Sequence, residues 1–263
     1  MHVRKRFGQH FLTDEGVLHQ IETAIGIRPT DRVMEIGPGL GALTDLLIDQ
    51  PSVYRGVEID RDLVPLLHAR HPRMELINED ILRVDLAAVL DAGQPWRVFG
   101  NLPYNISSPL LAVLTDFVRS HPGRIADMHF MLQREMVERL AAQPGSKAWG
   151  RLSVMMQLHF SIEHVFDVPP ESFSPPPKVV SSIVRLLPLP TPDIGVDIKV
   201  LERLLRLAFS GRRKRLSNSL KVLQLDWTQT TVDAGLRADN VTAAQYVSLA
   251  QLAHFKKHLV ASH

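Results

Sequence analysis

The feature that most constrains this chain is the run Val33-Met34-Glu35-Ile36-Gly37-Pro38-Gly39-Leu40-Gly41. A buried-strand pattern enters three glycines spaced two apart, and the apolar run 42–48 reads as the opening of a helix. Strand, glycine turn and helix make the first half of a βαβ nucleotide-binding unit. Gly37 allows the tight turn, Gly39 admits a ligand against bare backbone, and Gly41 relieves crowding where helix meets strand. The turn alone leaves the ligand open. Gly37, Gly39 and Ala42 also satisfy the looser dinucleotide fingerprint, and Glu58, at the end of a second strand over 53–59, stands where a ribose-binding acid belongs. A nicotinamide cofactor, S-adenosylmethionine and a plain turn without ligand all fit so far. Charge separates them: Glu35, Glu58 and Asp80 fall near the carboxyl ends of adjacent strands, and three acids suit a sulfonium cation better than a pyrophosphate. This favours S-adenosylmethionine.

A chain of 263 residues forms one large domain or a large and a small one. The lack of cysteine excludes a disulfide scaffold, a thiolate zinc site and a cysteine nucleophile, and it fits a reducing cytoplasm. The basic N-terminus is not followed by an apolar signal segment, and no uncharged apolar run approaches a membrane span, so a soluble cytoplasmic protein is expected. Nothing requires more than a monomer. No histidines show metal-ligand spacing, and no metal is expected. Charge is uneven: residues 1–185 hold 19 Lys and Arg against 22 Asp and Glu, whereas residues 186–263 hold 11 against 6. The positive excess suits a polyanionic partner, with a solvated basic face as the plainer alternative.

Along the chain, Lys5-Arg6-Phe7-Gly8-Gln9-His10-Phe11 interleaves cations, aromatics and an amide, a pattern suited to phosphate contact and stacking or to a frayed basic terminus. A first helix is predicted with Thr13 as N-cap and Asp14 and Glu15 in its first turn. Helix over 62–70, strand over 74–78, strand over 97–100, helix from Ser107, strand over 127–132 and helix over 135–142 continue an α/β alternation with a parallel sheet. Pro144-Gly145-Ser146-Lys147 is a turn-rich break, read as a mobile loop near the site. Runs 162–168 and 179–187 are expected to close one sheet edge as an antiparallel hairpin. The proline-rich stretch 187–192 marks the boundary between a domain over 1–187 and one over 188–263. Beyond it Leu201, Leu204, Leu205, Ala208 and Phe209 form an apolar helical stripe, and Tyr246, Leu249, Leu252, Phe255 and Leu259 form another. Between them Arg212-Arg213-Lys214-Arg215 offers four consecutive cations for a phosphate backbone.

Asn101-Leu102-Pro103-Tyr104 carries the chemistry. It stands at the carboxyl end of the fourth strand, on the rim where the glycine turn and the acids converge. An exocyclic adenine amine is a poor nucleophile because its lone pair is delocalised into the ring. Two acceptors for its hydrogens, the Asn101 side-chain oxygen and the Leu102 carbonyl, stabilise the positive charge that develops on nitrogen as a methyl arrives from sulfur. Pro103 fixes the backbone that presents that carbonyl, and Tyr104 offers a π-face to an extruded base. An ordinary strand-to-helix turn is the alternative for these four residues alone.

At this point the sequence resembles the bacterial small-subunit ribosomal RNA adenine dimethyltransferases. The resemblance rests on Lys5 to Leu12, Glu35 to Gly41, Val57-Glu58-Ile59-Asp60, Glu79-Asp80, Gly100 to Ser107, and Phe173-Ser174-Pro175-Pro176-Pro177-Lys178-Val179-Val180-Ser181, in that order. It implies an α/β fold, a seven-stranded Rossmann-like class I methyltransferase sheet with a small all-helical C-terminal domain that binds RNA. It implies dimethylation of N6 of two adjacent adenosines in the loop near the 3′ end of 16S rRNA during small-subunit assembly. Cofactor contacts would fall on His10, Leu12, Gly37, Glu58, Asp80 and Asn101, with Glu58 on the ribose hydroxyls and Asp80 on the adenine amine. Phe173 looks like the second aromatic that sandwiches the target base against Tyr104, unless it is a core aromatic under a loop. Many relatives carry Asn where this chain has His10. The competing readings are a related large-subunit rRNA dimethylase, a non-catalytic RNA-binding assembly factor and, third, a nicotinamide oxidoreductase.

Overall fold

The computed structural model describes residues 10–190, 195–211 and 213–260, the last seven by backbone alone. It divides into two compact units, one of Met1–Val137 with Ser161–Pro190, the other of Glu138–Phe160 with Thr191–His263. The expected boundary near 187 therefore accounts for one crossing only. The chain also enters the second unit at Glu138, returns after Phe160, and so lends that unit a segment assigned above to the first domain.

Strand β1 (Phe11–Leu12) leads into helix α1 (Glu15–Ile25), whose N-cap is Asp14 and not Thr13. The Asp14 carboxylate accepts the Val17 N–H at 3.1 Å, while Thr13 instead donates its N–H to the Ser172 carbonyl at 2.9 Å. Val17, Leu18, Ile21 and Ile25 recur at helical spacing and are buried. Then come β2 (Arg32–Ile36), α2 (Ala42–Leu47), β3 (Val53–Val57), α3 (Val64–Arg70), β4 (Glu75–Ile77) and the single turn α4 (Leu86–Val89). Next are β5 (Trp96–Asn101), α5 (Ser107–Ser120), β6 (Ile125–Gln133), α6 (Arg134–Leu140) and α7 (Arg151–Gln157). The first unit ends with β7 (Phe160–Val168), the two-residue β8 (Phe173–Ser174) and β9 (Ser181–Pro188).

Seven of these strands make one sheet in the order β4-β3-β2-β5-β6-β9-β7. The five strands from β4 to β6 are parallel, and β9 runs antiparallel to β6 with Phe130 opposite Val184. The expected edge hairpin is present, with β9 inside and β7 outermost. Val33, Met34, Val98, Phe99, Met128 and Phe130 are buried, as strands covered on both faces must be. Chain order reverses between β2 and β5, and at such a switch point the strand ends open a crevice. At the opposite end of the strands Arg97 bridges Asp127 at 2.8 Å and Asp31 at 3.0 Å and donates to the Gly26 carbonyl, which ties α1 to the sheet away from that crevice.

In the second unit α8 (Ile198–Ala208) buries Leu201, Leu204, Leu205 and Ala208, the predicted stripe, and is capped by Asp197 through the Lys199 N–H at 2.8 Å. The turn α9 (Leu216–Ser219) and helix α10 (Ala243–Val260) complete it. Tyr246 and Leu249 of α10 are buried against this core; the side chains of Phe255 and Leu259 lie outside the described residues. Trp149, Val154 and Ala142 join the same core, which is why the segment before Ser161 belongs here. The Trp149 indole N–H donates to the Val241 carbonyl at 3.0 Å. The turn at Pro144 belongs to the second unit, where the Gly145 N–H donates to the Asp239 carbonyl at 2.6 Å. No helix among the described residues is long and apolar enough to cross a membrane.

Candidate active site

A cavity of about 320 Å³ opens at the carboxyl ends of β2, β3 and β5, within the first unit. Its size is that of a small-molecule site. His10, Leu12, Gly37, Glu58, Asp80, Asn101, Leu102, Pro103 and Tyr104, each predicted from sequence, all line it. Phe173 does not. Lys5, Arg6 and Arg212 lie outside the described residues, and Arg213, Lys214 and Arg215 are exposed in the second unit.

The acids on the rim are held by local donors. Glu58 follows β3 directly; its carboxylate accepts the Gly39 N–H at 3.0 Å through Oε2 and the Asp60 N–H at 2.8 Å through Oε1. Burial pushes its pKa up, and those backbone donors pull the other way. A carboxylate has about four acceptor positions, so acceptor capacity remains for a further hydroxyl donor. Asp80 accepts the Leu82 N–H at 3.0 Å through Oδ1, which leaves Oδ2 for an amine. Glu35 is fully buried, accepts the Thr44 and Tyr54 hydroxyls at 2.6 Å each, and has its pKa pushed up to about 7, chiefly by burial.

The glycine turn is built somewhat differently from expectation. All three glycines have positive φ. A Cβ on Gly39 would meet the Phe11 ring at 3.3 Å, so it is this side chain that lies against the bare backbone. Gly41 faces the His71 imidazole, not the strand. Gly100, given no conformational role in the sequence analysis, is the tightest of all: a Cβ there would overlap the Ile36 carbonyl, because β5 presses directly on the end of β2.

Asn101 ends β5. Its side-chain NH₂ donates to the His10 carbonyl at 3.0 Å. A carbonyl only accepts, so the amide is oriented and its Oδ1 is the end left for a donor. The Leu102 N–H makes a further bond to the Met131 carbonyl at 3.3 Å, and the Leu102 side chain is buried, which fixes the peptide whose carbonyl follows. Tyr104 is half-buried, and its hydroxyl pairs with Ser181 Oγ at 2.8 Å, leaving the ring face to the cavity.

Phe173 stands outside the cavity lining. It sits in β8, opposite Leu12 of β1, is only 4% exposed and packs in the main core with Val168 and Ile183. Alternation along this short strand turns Phe173 inward and Ser174 outward. Leu40, Ile59 and Ile81 at the cavity were missed. Leu40 and Ile59 remain 42% and 44% exposed, apolar faces suited to a flat ring. Ile59 and Ile81 each follow a rim acid by one residue, and that adjacency was a usable signal.

The lining distinguishes the candidate cofactors. Among the described residues it contains four acids, Glu35, Glu58, Glu79 and Asp80, and no Lys or Arg. That set fits a cationic nucleoside and opposes a pyrophosphate. No group of three potential metal ligands occurs among the described residues.

Residues 1–254 match the family described as ribosomal RNA adenine dimethylase. Ribosomal RNA small subunit methyltransferase A of Cupriavidus metallidurans is 48% identical over 260 residues, covering 95% of this chain and 92% of that protein. The protein of the same name from Pseudomonas aeruginosa is 49% identical over 253 residues, covering 94% and 93%. Among solved structures, a dimethyladenosine transferase from Plasmodium falciparum superposes with a TM-score of 0.76 at 26% identity, covering 94% of this chain and 98% of that one. The 23S rRNA methyltransferase ErmE gives 0.68, also at 26% identity, covering 93% and 99%. A match across nearly the whole sequence, with relatives about half identical over almost their full lengths, leaves one assignment: the chain belongs to the ribosomal RNA adenine dimethylase family and takes its methyl groups from S-adenosylmethionine.

Proposed function

We propose that the protein dimethylates N6 of two adjacent adenosines in the loop near the 3′ end of 16S rRNA, on assembling small ribosomal subunits in the cytoplasm, and acts as a monomer. The observation that carries the chemistry is the orientation of Asn101, whose amide NH₂ is engaged by the His10 carbonyl so that Oδ1 faces an incoming donor. Bound S-adenosylmethionine supplies an electrophilic methyl group. Glu58 and Asp80 hold the nucleoside end of that molecule through their remaining acceptor positions. Asn101 Oδ1 and the Leu102 carbonyl accept the two hydrogens of the target amine and stabilise its charge in the transition state. Tyr104 stacks on the base after it leaves its helix, as an enzyme acting on a base in structured RNA requires. The exposed Arg213, Lys214 and Arg215 contact phosphates, as do Arg212, Lys5 and Arg6.

The small-subunit target is favoured over the large-subunit alternative by the names of relatives that are 48% and 49% identical. An RNA-binding factor without activity has no use for an oriented acceptor beside a cofactor-sized cavity. The test is mass spectrometry of rRNA nucleosides after the purified protein and S-adenosylmethionine are incubated with unmethylated small subunits and, separately, with large subunits. Dimethyladenosine in the small-subunit RNA alone, at about two residues per particle, is the expected result. Modification of large subunits would transfer the assignment to the other target, and cofactor binding without transfer to either would favour the assembly factor.

A further inference from the structure

Behind the glycine turn, His71 touches it without lining the cavity. Leu67 of α3 and, four residues on, His71 lie on one face and point at Gly41. A Cβ on Gly41 would meet His71 Nε2 at 3.2 Å and Leu67 Cδ2 at 3.4 Å. His71 is 6% exposed, and a polar ring so deeply buried calls for a polar reason.

Asp45 supplies one. Its Oδ1 stands 3.0 Å from His71 Nε2, close but not aligned as a hydrogen bond, so a small rotation of either side chain completes the contact. Asp45 belongs to the first turn of α2, and its N–H donates to the Gly41 carbonyl at 2.8 Å. Gly41, Asp45 and His71 thus close a ring of three contacts: a backbone hydrogen bond, a carboxylate facing an imidazole, and the imidazole packed against the glycine. Asp45 also pairs with Arg70, whose side chain is 59% exposed. An ion pair that exposed contributes little, which leaves the buried contact as the one with consequence.

The neighbours of this ring shape the cofactor cavity. Leu40, Ala42 and Leu43 line it, and the Gly39 N–H holds the Glu58 carboxylate. A shift in the start of α2 would move an apolar wall and a carboxylate donor together. We propose that His71 is a positioning residue for S-adenosylmethionine: through Asp45 it holds the start of α2 where Gly39 and Leu40 meet the cofactor. It touches neither cofactor nor RNA. The role depends on the cofactor occupying the cavity and is independent of which RNA is methylated.

The test measures cofactor Kd by calorimetry, with urea unfolding in parallel, for His71→Gln, His71→Phe, His71→Ala, Asp45→Ala and Arg70→Gln. Glutamine keeps an N–H donor near the position of Nε2, and phenylalanine keeps the bulk without a donor. His71→Ala, His71→Phe and Asp45→Ala are each expected to raise Kd about 10-fold, the scale of one hydrogen bond to a charged group. His71→Gln should stay within about 3-fold and Arg70→Gln within about 2-fold. The double variant His71→Ala with Asp45→Ala should bind no more weakly than either single one, because both remove the same contact. If His71→Phe binds as well as His71→Gln, the ring merely fills space and the proposal is overturned. An unchanged Kd in Asp45→Ala, or losses that add in the double variant, overturns it too. Should His71→Ala not fold, Asp45→Ala and the contrast of glutamine with phenylalanine decide the matter. The unsubstituted protein is the control for the cofactor site: failure to bind S-adenosylmethionine there refutes that assignment itself.

Discussion

The two sides of the cavity are made in different ways. On the cofactor side each acid is settled by donors close in sequence or on the adjoining strand: Asp80 by Leu82, Glu58 by Asp60 and Gly39, Glu35 by Thr44 and Tyr54. On the target side the bonds join distant stretches, Asn101 to His10, His10 to Pro175 and Tyr104 to Ser181, each link one hydrogen bond wide. Strand ends of a parallel sheet dictate the first arrangement. The second depends on the chain returning correctly through β9. The cofactor side is thus preorganised locally, whereas the target side inherits its geometry from long-range packing.

The largest test of that division is Asn101→Ala. Removing an acceptor used in the transition state should lower the single-turnover transfer rate by about 10³-fold, while cofactor affinity by calorimetry changes by about 5-fold or less. Comparable losses in both would show that the two sides are not separable.

Proton linkage sharpens the contrast, because a buried titratable group underlies each side. Glu35, with a pKa of about 7 in the fold against an ordinary 4.5, binds protons more readily folded than unfolded; it loses stability for the protein as pH rises from about 4.5 to about 7. His129 shares a small buried pocket with Asn101, and burial pushes its pKa down to about 4 from 6.5. It binds protons more readily unfolded, so its contribution rises as pH rises from about 4 to 6.5. Each effect is on the order of 3 kcal/mol, and they oppose one another over most of the same range. Urea unfolding against pH should accordingly show Glu35→Gln gaining stability from pH 4 to 6.5 and His129→Leu losing it from pH 4.5 to 7. Parallel profiles for the two variants would contradict this assignment.

A smaller effect is expected for Glu58→Ala. It should weaken the cofactor about 10- to 100-fold through lost charge-assisted hydrogen bonds, and RNA affinity in a filter-binding assay should hold within about 2-fold. RNA affinity falling in step would mean that the cofactor side also shapes the RNA surface. Smallest is replacement of Arg213, Lys214 and Arg215 by glutamine. RNA affinity should drop several-fold, and the slope of log affinity against log salt should become shallower by about 2 to 3, with cofactor binding untouched. An unaltered slope would remove these cations from the interface.

Much of the cofactor side was legible because its signals are local. A strand ending in a glycine turn, and acids at the ends of the next two strands, place their own chemistry on one rim. The stripe of Leu201, Leu204, Leu205 and Ala208 likewise needed only helical periodicity. The inward direction of Phe173 was not legible because it follows from pairing with Leu12, a partner far away in sequence. Thr13 and Asp14 are both competent caps, and the choice between them was made by Ser172, which engages the Thr13 N–H. The place of Trp149 and Val154 in the second core, like the need for glycine at position 100, is set by what packs against them. No local pattern carries that information.

The excursion from Glu138 to Phe160 has an evolutionary consequence. A C-terminal module joined to its neighbour by a single linker can be lost, exchanged or fused elsewhere by one cut in the gene. Here a cut near residue 190 would abandon Ala142, Trp149 and Val154 in the remaining fragment, stripped of the helices that bury them, and would deny those helices an indole at their centre. A single cut near residue 190 would therefore leave both pieces incomplete.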